Sequence, residues 1–318
     1  MSEKAFQLQV AGRAPLYVHC WLPRTPAKWV VLIVHGLGEH GGRYARFAAA
    51  LNASGAAVYA PDLPGHGMTA GTPADRGHFA DHNGWSYVME SVAATRTRAE
   101  RAHPQLPLFI FGHSMGSFVV QHHLVAHSEG LSGAMLCATN GTMGALRPIA
   151  EMLVHAQVRL LGPRHRTELM RTLTFRRYNF RFAPTRTDFD WLSRDLAEVD
   201  KRIADPLVGF TATSQLWIDL LGAGRDLLSR RRLDRIRKEL PVILIAGSDD
   251  DVTGDGRGPE LLAEAYRRAG LLDITVKIYP HGRHELLNDT CRDHVTIDLL
   301  DWLRAHLPAK KRIAKKIA

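Results

Sequence analysis

Residues 106–127 read LPLFIFGHSMGSFVVQHHLVAH and decide the fold. An apolar strand pattern over Leu106–Phe111 enters a glycine turn, and a helical pattern runs from about Ser114 to His127. The turn itself, GHSMG at 112–116, has the form G-x-S-x-G, in which a sharp strand-to-helix bend lifts the serine hydroxyl above the end of the strand. The pattern therefore predicts Ser114 as a nucleophile at the carboxyl edge of a sheet.

Short apolar strands alternate with helical patterns on both sides of this turn. The predicted strands are Val30–Val34, Ala56–Ala60, Leu106–Phe111, Leu131–Cys137, Val242–Ala246 and Ile274–Tyr279. Helical patterns cover Tyr44–Ala53, Trp85–His103, about Glu260–Ala269 and about His294–His306. This alternation predicts the α/β class, with a mostly parallel sheet flanked by helices.

The middle of the chain has a different character. Residues 141–235 show helical patterns and little strand signal, so we expect residues 1–140 and 236–309 to form the α/β core and 141–235 to be a helical insertion. A helix is predicted near Thr213–Leu221. Another is marked by an apolar stripe, expected to pack mostly on the core with some members lining a pocket: Leu146, Ile149, Ala150, Leu153, Val154, Leu160 and Leu161.

The charge of the chain is unevenly distributed. The net charge is +9 over 318 residues, of which residues 141–235 carry +6 and the tail 310–318 carries +5. A positive surface there would attract anionic lipid or an anionic substrate, and simple solubility is the alternative explanation. Weak association with a membrane surface, through the insertion and the basic tail, is one of the two expectations from this charge. We expect no nucleic-acid partner.

Several classes of protein are not indicated by the sequence. The cysteines Cys20, Cys137 and Cys291 are far apart and form no CxxC pair, which argues against a disulfide framework or a thiolate metal site. The start, MSEKAFQLQV, lacks the apolar core of a secretory leader. There is no Walker loop and no dinucleotide fingerprint. We therefore expect a cytoplasmic protein with no organic cofactor and no metal.

A serine hydroxyl needs a base and an orienting acid. The base is expected in a late loop, where His284 follows the last predicted strand and His281 is a rival three residues away. The acid is expected after the penultimate strand, where Asp249, Asp250 and Asp251 stand together and spacing does not choose among them. The order Ser, Asp, His is the one found in α/β-hydrolases.

An oxyanion hole needs two backbone N–H groups aimed at the developing negative charge. One is expected from Met115, which follows the serine. The other is expected from the glycine-rich turn after the first apolar strand, where the N–H of Leu37 is the candidate.

The sequence resembles the monoacylglycerol lipase and lysophospholipase-like branch of the α/β-hydrolases, also described as serine-aminopeptidase-like. The stretches that carry the resemblance are HGLGEHGGRY at 35–44, YAPDLPGHGMT at 59–69, GHSMG at 112–116, GSDDDVT at 247–253 and YPHGRHELLND at 279–289. The resemblance implies an α/β-hydrolase fold with 141–235 as a helical cap. It implies Ser114, Asp250 and His284 as a catalytic triad, with Leu37 and Met115 as oxyanion donors. His281 departs from the pattern, since relatives often carry glycine there.

The expected activity is hydrolysis of a carboxylic ester through an acyl-enzyme. The substrate that the resemblance implies is a small-molecule ester or single-chain lipid such as a monoacylglycerol or lysophospholipid. A general short-chain carboxylesterase, a peptidase or amidase, and an acyltransferase remain alternatives. Some proteins of this fold are receptors or scaffolds, but these commonly lack a member of the triad.

Overall fold

The computed structural model describes residues 2–144 and 146–308. The predicted basic tail, 310–318, lies outside the described residues. Within them the strands are β1 (Ser2–Leu8), β2 (Leu16–Leu22), β3 (Trp29–Val34), β4 (Ala56–Pro61), β5 (Leu108–His113), β6 (Leu131–Cys137), β7 (Val242–Gly247) and β8 (Ile274–Tyr279). They form one sheet in the order β1-β2-β4-β3-β5-β6-β7-β8.

Strands β3 to β8 are parallel and form the part of the sheet that the sequence predicts. β5 lies between β3 and β6, with Val34 opposite Gly112 and His113 opposite Cys137. Because parallel strands end at the same edge, the loops after β3, β5, β7 and β8 meet there. This arrangement confirms the α/β-hydrolase fold class.

The N-terminal hairpin was not predicted from the sequence. β1 pairs antiparallel with β2, and β2 pairs antiparallel with β4. In β2, Leu16, Val18 and Cys20 are buried on one face of the sheet. The start of the chain looks polar because β1 is an edge strand, and an edge strand needs few buried apolar residues to pair.

Helices cover both faces of the sheet. They are α1 (Ala45–Ala53), α2 (Gly84–Ala102), α3 (Met115–His127), α4 (Arg147–Leu161), α5 (Glu168–Arg171), α6 (Arg177–Asn179), α7 (Leu196–Ala204), α8 (Ser214–Ala223), α9 (Arg230–Leu233), α10 (Arg257–Arg268) and α11 (Arg292–Ala305). Alternate residues of β3 enter two separate cores: Val30, Leu32 and Val34 pack with α2, α3 and α10, whereas Val31 and Ile33 pack with α1 and α11.

The helical segment (residues 141–235) lies between β6 and β7 and holds α4 to α9. Its α4 corrects one expectation. Of the predicted stripe, Val154 is buried, but Leu146, Ile149, Leu160 and Leu161 are exposed, the last two by 80% and 60%. α4 packs against α8, and much of the apolar face of α4 is exposed to solvent rather than packed against the core.

Arginines of the helical segment pair with carboxylates of the core. Arg181 contacts Asp251 and Asp255 in the loop after β7, and Arg194 donates to Asp289, 2.7 Å away, in the loop after β8. Part of the positive charge that the sequence places in this segment is therefore neutralised within the molecule. Ion pairs of this kind hold the segment over the carboxyl edge of the sheet.

Candidate active site

Ser114 occupies a strained turn between β5 and α3. Its φ of 51° and ψ of −120° lie outside the ordinary regions for a residue with a side chain. The backbone N–H of Ser114 donates to the carbonyl of Cys137 at the end of β6, 2.9 Å away. Strain of this kind costs roughly 1–3 kcal/mol and persists only where the surroundings hold it.

The two flanking glycines are required by close backbone contacts. A Cβ on Gly112 would lie 2.5 Å from the carbonyl oxygen of Gly116. A Cβ on Gly116 would lie 2.2 Å from the carbonyl oxygen of Val34, at the end of β3. The start of α3 is thus packed directly against the chain that enters the loop of residues 35–39.

The structure brings Ser114, His284 and Asp250 into one hydrogen-bonded line. The Nε2 atom of His284 lies 2.9 Å from the Oγ atom of Ser114. Its Nδ1 atom lies 3.0 Å and 3.1 Å from the two carboxylate oxygens of Asp250. His284 and Asp250 are 3% and 1% exposed. A carboxylate only accepts, so Nδ1–H donates to Asp250 and Nε2 is left to accept the serine proton.

Among the three consecutive aspartates, Asp250 is the one that contacts His284. Asp249 faces the Nδ1 atom of His281, 3.6 Å away, and Asp251 pairs with Arg181. The side chain of His281 is 78% exposed and lies outside the lining of the cleft at Ser114. Geometry thus distinguishes Asp250 from its two neighbours, which spacing alone did not do.

The loop that carries Asp250 and the loop that carries His284 are joined backbone to backbone. The N–H of Asp249 donates to the carbonyl of Gly282, 3.0 Å away. A Cβ on Gly247 would lie 1.9 Å from that same oxygen, so the approach requires glycine. This contact fixes the loop that carries Asp250 relative to the loop that carries His284.

The loop of residues 35–39 passes beside Ser114. A Cβ on Gly36 would lie 3.2 Å from the Cβ of Ser114, and Leu37 lines the same cleft as the serine. His35 accepts the N–H of Leu63 at 2.9 Å through Nε2, which leaves its Nδ1–H to donate to the carbonyl of Gly36 at 2.8 Å. That carbonyl and the N–H of Leu37 belong to one planar peptide, so His35 sets the direction of the N–H. Met115, the other candidate donor, is the first residue of α3.

A cleft, partly open to solvent, lies over Ser114 and His284. The core and the helical segment both line it. The residues from the helical segment are Arg171, Asp188, Phe189, Trp191, Leu192, Arg202, Gly209, Phe210 and Ala212. The ring of Trp191 lies 5.0 Å from that of His284, centroid to centroid. The lining is rich in apolar and aromatic side chains, as expected of a small-molecule site.

The family described as "Serine aminopeptidase, S33" matches residues 25–291 of this chain. The chain belongs to the serine aminopeptidase S33 family. Among its relatives is a monoacylglycerol lipase of Mycolicibacterium smegmatis, 28% identical over 302 residues that cover 93% of this chain and 95% of the relative. The monoglyceride lipase of Homo sapiens is 29% identical over 278 residues, which cover 85% of this chain and 80% of that protein.

Solved structures of similar proteins agree with this membership in the S33 family. A carboxyl esterase from Bacillus coagulans has a TM-score of 0.88 at 25% identity, and the match covers 96% of this chain and 99% of that one. A monoglyceride lipase from Saccharomyces cerevisiae has a TM-score of 0.77 at 20% identity, covering 97% of each chain. At that identity the yeast structure supports the fold alone.

In this S33-family chain a buried ionic pair, not predicted from the sequence, lies behind Ser114. The Nδ1 atom of His113 lies 2.8 Å from a carboxylate oxygen of Glu39, and both residues are buried. Burial alone would lower the pKa of His113, but Glu39 outweighs it, so the pKa is raised above 6.5. Burial would likewise raise the pKa of Glu39, yet His113 and Arg43 hold it well below the usual range. A charged His113 also donates to the backbone carbonyl of His284, 3.3 Å away.

A second buried pair lies beside His284. Arg43 donates to both carboxylate oxygens of Glu285, over 2.9 Å and 2.7 Å. Burial would raise the pKa of Glu285, but Arg43 and Arg202 together lower it to about 2. Glu39 and Arg43 belong to the motif at 35–44, and Glu285 follows His284. The sequence did not predict that Arg43 and Glu285 are in contact, because a local pattern does not indicate burial or pairing between distant parts of the chain.

One group of side chains in residues 2–144 and 146–308 has the composition of a metal site. The ligand atoms of His19, His40 and Asp62 lie within 4.8 Å of one another. Hydrogen bonds account for this arrangement: Asp62 accepts the N–H groups of Gly41 and Met68, each over 2.8 Å, and His40 bonds Asp205 over 2.9 Å. The expectation that the protein needs no metal stays a prediction.

Proposed function

We propose that this protein hydrolyses carboxylic esters of the lipase type with Ser114 as nucleophile, His284 as base and Asp250 as the orienting acid. The N–H groups of Leu37 and Met115 are the proposed oxyanion donors. The observation that carries the proposal is the hydrogen-bonded line from the hydroxyl of Ser114 through His284 to Asp250, which begins at the floor of a cleft.

In the proposed mechanism the ester carbonyl enters the cleft with its oxygen toward the N–H groups of Leu37 and Met115. Ser114 attacks the carbonyl carbon as His284 takes its proton, and Asp250 stabilises the imidazolium that forms. His284 then gives the proton to the leaving alcohol. Water, deprotonated by the same imidazole, attacks the acyl-serine, and the acid leaves as Ser114 regains its proton.

The substrate class that we propose is an ester with a single acyl chain, such as a monoacylglycerol or lysophospholipid. Two observations support it: Phe189, Trp191, Leu192 and Phe210 line the cleft, and several relatives bear the name monoglyceride lipase. The alternative that a specific observation favours is a general carboxylesterase, since the Bacillus coagulans enzyme shares the fold over nearly its whole length. The rates of hydrolysis of p-nitrophenyl esters with short and with long acyl chains separate the two proposals.

Replacement of the serine tests the mechanism directly. Ser114→Ala removes the only atom that forms the acyl bond, so we expect loss of ester turnover and of labelling by a fluorophosphonate. Ser86→Ala is the matched control, because Ser86 bonds Glu90 on the surface of α2. Labelling of the Ser114→Ala protein at the wild-type rate would remove this serine from the mechanism.

We further propose that residues 141–235 act as a cap over a core made of 1–140 and 236–309. The helical segment supplies much of the lining of the cleft, including Trp191, which packs beside the base. Substrates that reach Ser114 therefore pass side chains of this segment. Substitutions in this segment are expected to change the acyl-chain preference more than substitutions in the core.

Peripheral attachment to a membrane is the last part of the proposal. No helix within the described residues combines the length and the apolar character needed to cross a bilayer. The exposed apolar side chains of α4 and the residue before it offer a shallow insertion surface: Leu146, Ile149, Met152, Leu160 and Leu161. A helix of this kind lies in the headgroup region, and nearby basic charge favours anionic lipid.

Vesicle sedimentation tests this surface. We expect Leu160→Glu to weaken binding to phosphatidylglycerol-containing vesicles by about tenfold or more, because burial of one leucine contributes about 1.5–3 kcal/mol. Ile297→Glu is the control, since Ile297 is also an exposed apolar residue but lies on α11, outside the helical segment. Equal binding by wild type and both variants would contradict attachment through α4, and no binding by wild type would contradict the attachment itself.

A further inference from the structure

Arg202, near the end of α7, contacts two loops of the core at once. Its Nη2 atom donates to the carbonyl of Gly38 over 3.0 Å, and its Nη1 atom donates to Glu285 over 2.9 Å. Gly38 follows Leu37, and Glu285 follows His284. The guanidinium is buried and lines the cleft. A side chain of the helical segment thus bonds the residues next to the proposed oxyanion donor and next to the base.

Contacts within the core hold the first part of the loop of residues 35–39. His35 bonds the carbonyl of Gly36, and the carboxylate of Glu39 accepts the N–H of Gly36 over 2.6 Å. Both contacts fix the entry to the loop. Arg202 fixes its exit, at the peptide that joins Gly38 to Glu39. Leu37 lies between the fixed points, so its backbone has little freedom to turn.

Other contacts place the end of α7 at this loop. Asp205, which follows the helix, bonds the Nε2 atom of His40 over 2.9 Å. The N–H of Gly209 reaches the carbonyl of Gly38 at 3.4 Å. The contact of Arg202 is therefore part of a docking region between the helical segment and residues 38–40.

The burial of Arg202 is costly, which argues that packing alone does not explain it. Its Nε atom is buried and has no hydrogen-bond partner among the described residues. Removing one member of a buried ion pair destabilises a protein when the other charge is left unpaired. Glu285 would retain both bonds to Arg43 after the loss of Arg202. An apolar side chain at 202 is therefore compatible with the folded state.

We propose that Arg202 is a positioning residue, which holds the loop of Leu37 and the backbone beside His284 in their reactive arrangement and so makes catalysis depend on the docked helical segment. This inference rests on the proposed function. It predicts that the loss of Arg202 weakens binding of the transition state while the ground state and the fold are little changed.

The test compares Arg202→Met with Arg46→Met. Arg46 also joins α7 to the core, through Glu198 over 2.7 Å, but it bonds Leu287 and Asn288 rather than residues 36–39. For Arg202→Met we expect kcat to fall about 10- to 100-fold with KM nearly unchanged, less than the roughly 10²–10³-fold loss when an oxyanion donor itself is removed. A trifluoromethyl ketone, whose serine adduct carries an oxyanion, should lose affinity by the same factor. Binding of the product alcohol should not change.

Each outcome decides a separate question. Wild-type kcat and ketone affinity in Arg202→Met, or equal losses in Arg46→Met, would overturn the proposal. If Arg202→Met does not fold, Arg202→Lys is measured instead: a single ammonium reaches Gly38 or Glu285 but not both, so kcat and ketone affinity should fall together while the circular dichroism spectrum stays native. If wild type hydrolyses no ester, it is the proposed function that fails.

Discussion

Gly116→Ala perturbs the closest backbone contact around the serine. The new Cβ would lie 2.2 Å from the carbonyl oxygen of Val34 and 2.5 Å from that of His35, whereas real Cβ atoms stay beyond 3.0 Å. Both oxygens belong to the backbone, so a change of side-chain rotamer cannot relieve the clash. The first turn of α3 and the chain that leads to Leu37 must therefore move apart by at least about 0.8 Å.

Two effects oppose each other in the stability of this variant. Gly116 lies inside α3, so alanine favours the helix by about 0.5–1 kcal/mol. Forcing an extra carbon into a packed site costs about 1–3 kcal/mol. We expect a net loss of about 1–2 kcal/mol in the free energy of unfolding. The effect on rate should be larger, because a displacement near 1 Å between reacting groups costs about 10²-fold.

The assay pairs urea unfolding with hydrolysis of a p-nitrophenyl ester. Gly222→Ala is the matched control: Gly222 also lies in a helix, α8, and a Cβ added there would meet no neighbouring atom of the described residues within 4 Å. We expect the control to be more stable by about 0.5–1 kcal/mol with kcat unchanged. The Gly116→Ala protein should show kcat reduced about 100-fold, equivalent to about 2.7 kcal/mol in the barrier.

A Gly116→Ala protein with the stability of wild type and kcat within a factor of two would refute this reasoning. That result would mean that α3 and the end of β3 separate without moving the proposed oxyanion donors. A loss of stability without a loss of rate would keep the steric part of the argument but reject its link to catalysis.

Two further predictions concern carboxylates. Asp250→Asn should lower kcat about 10⁴-fold, because an amide permits the wrong tautomer of His284, while Asp249→Asn should retain most activity; equal losses would reject the choice of Asp250. Asp219 is part-buried, and burial raises its pKa from 3.8 to about 6. Its folded-state pKa exceeds the unfolded one, so the folded state loses stability as pH rises from about 4 to 6 and the deficit persists above. Asp219→Asn should therefore gain about 1–2 kcal/mol at pH 8 after allowance for solvent screening, and nothing near pH 3.5. A gain of the same size at both pH values in urea unfolding would contradict this assignment.

The central and C-terminal strands were predictable because their signals are local. β3 and β7 are fully buried and appear as continuous apolar runs, each ending at a glycine-containing turn. The hairpin of β1 and β2 was missed because neither strand shows a continuous apolar run. β1 is an edge strand with a polar sequence, and in β2 the apolar residues are interrupted by Tyr17 and His19. The apolar stripe of α4 was misassigned because periodicity marks an apolar face without indicating what covers it.

The sequence by itself determined the order of strands β3 to β8 and of the main helices between them, the turn at Ser114 and the candidate partners in the loops at 249–251 and 281–284. These features could be predicted because periodicity and turn chemistry act over a few residues. Only the tertiary structure distinguished Asp250 from its neighbours, since that depends on where the loop after β8 places His284. It alone joined Arg43 to Glu285, which are 242 positions apart, and brought Arg202 against Gly38. Burial and pairing at such separations arise from the packing of the whole chain, which no local pattern encodes.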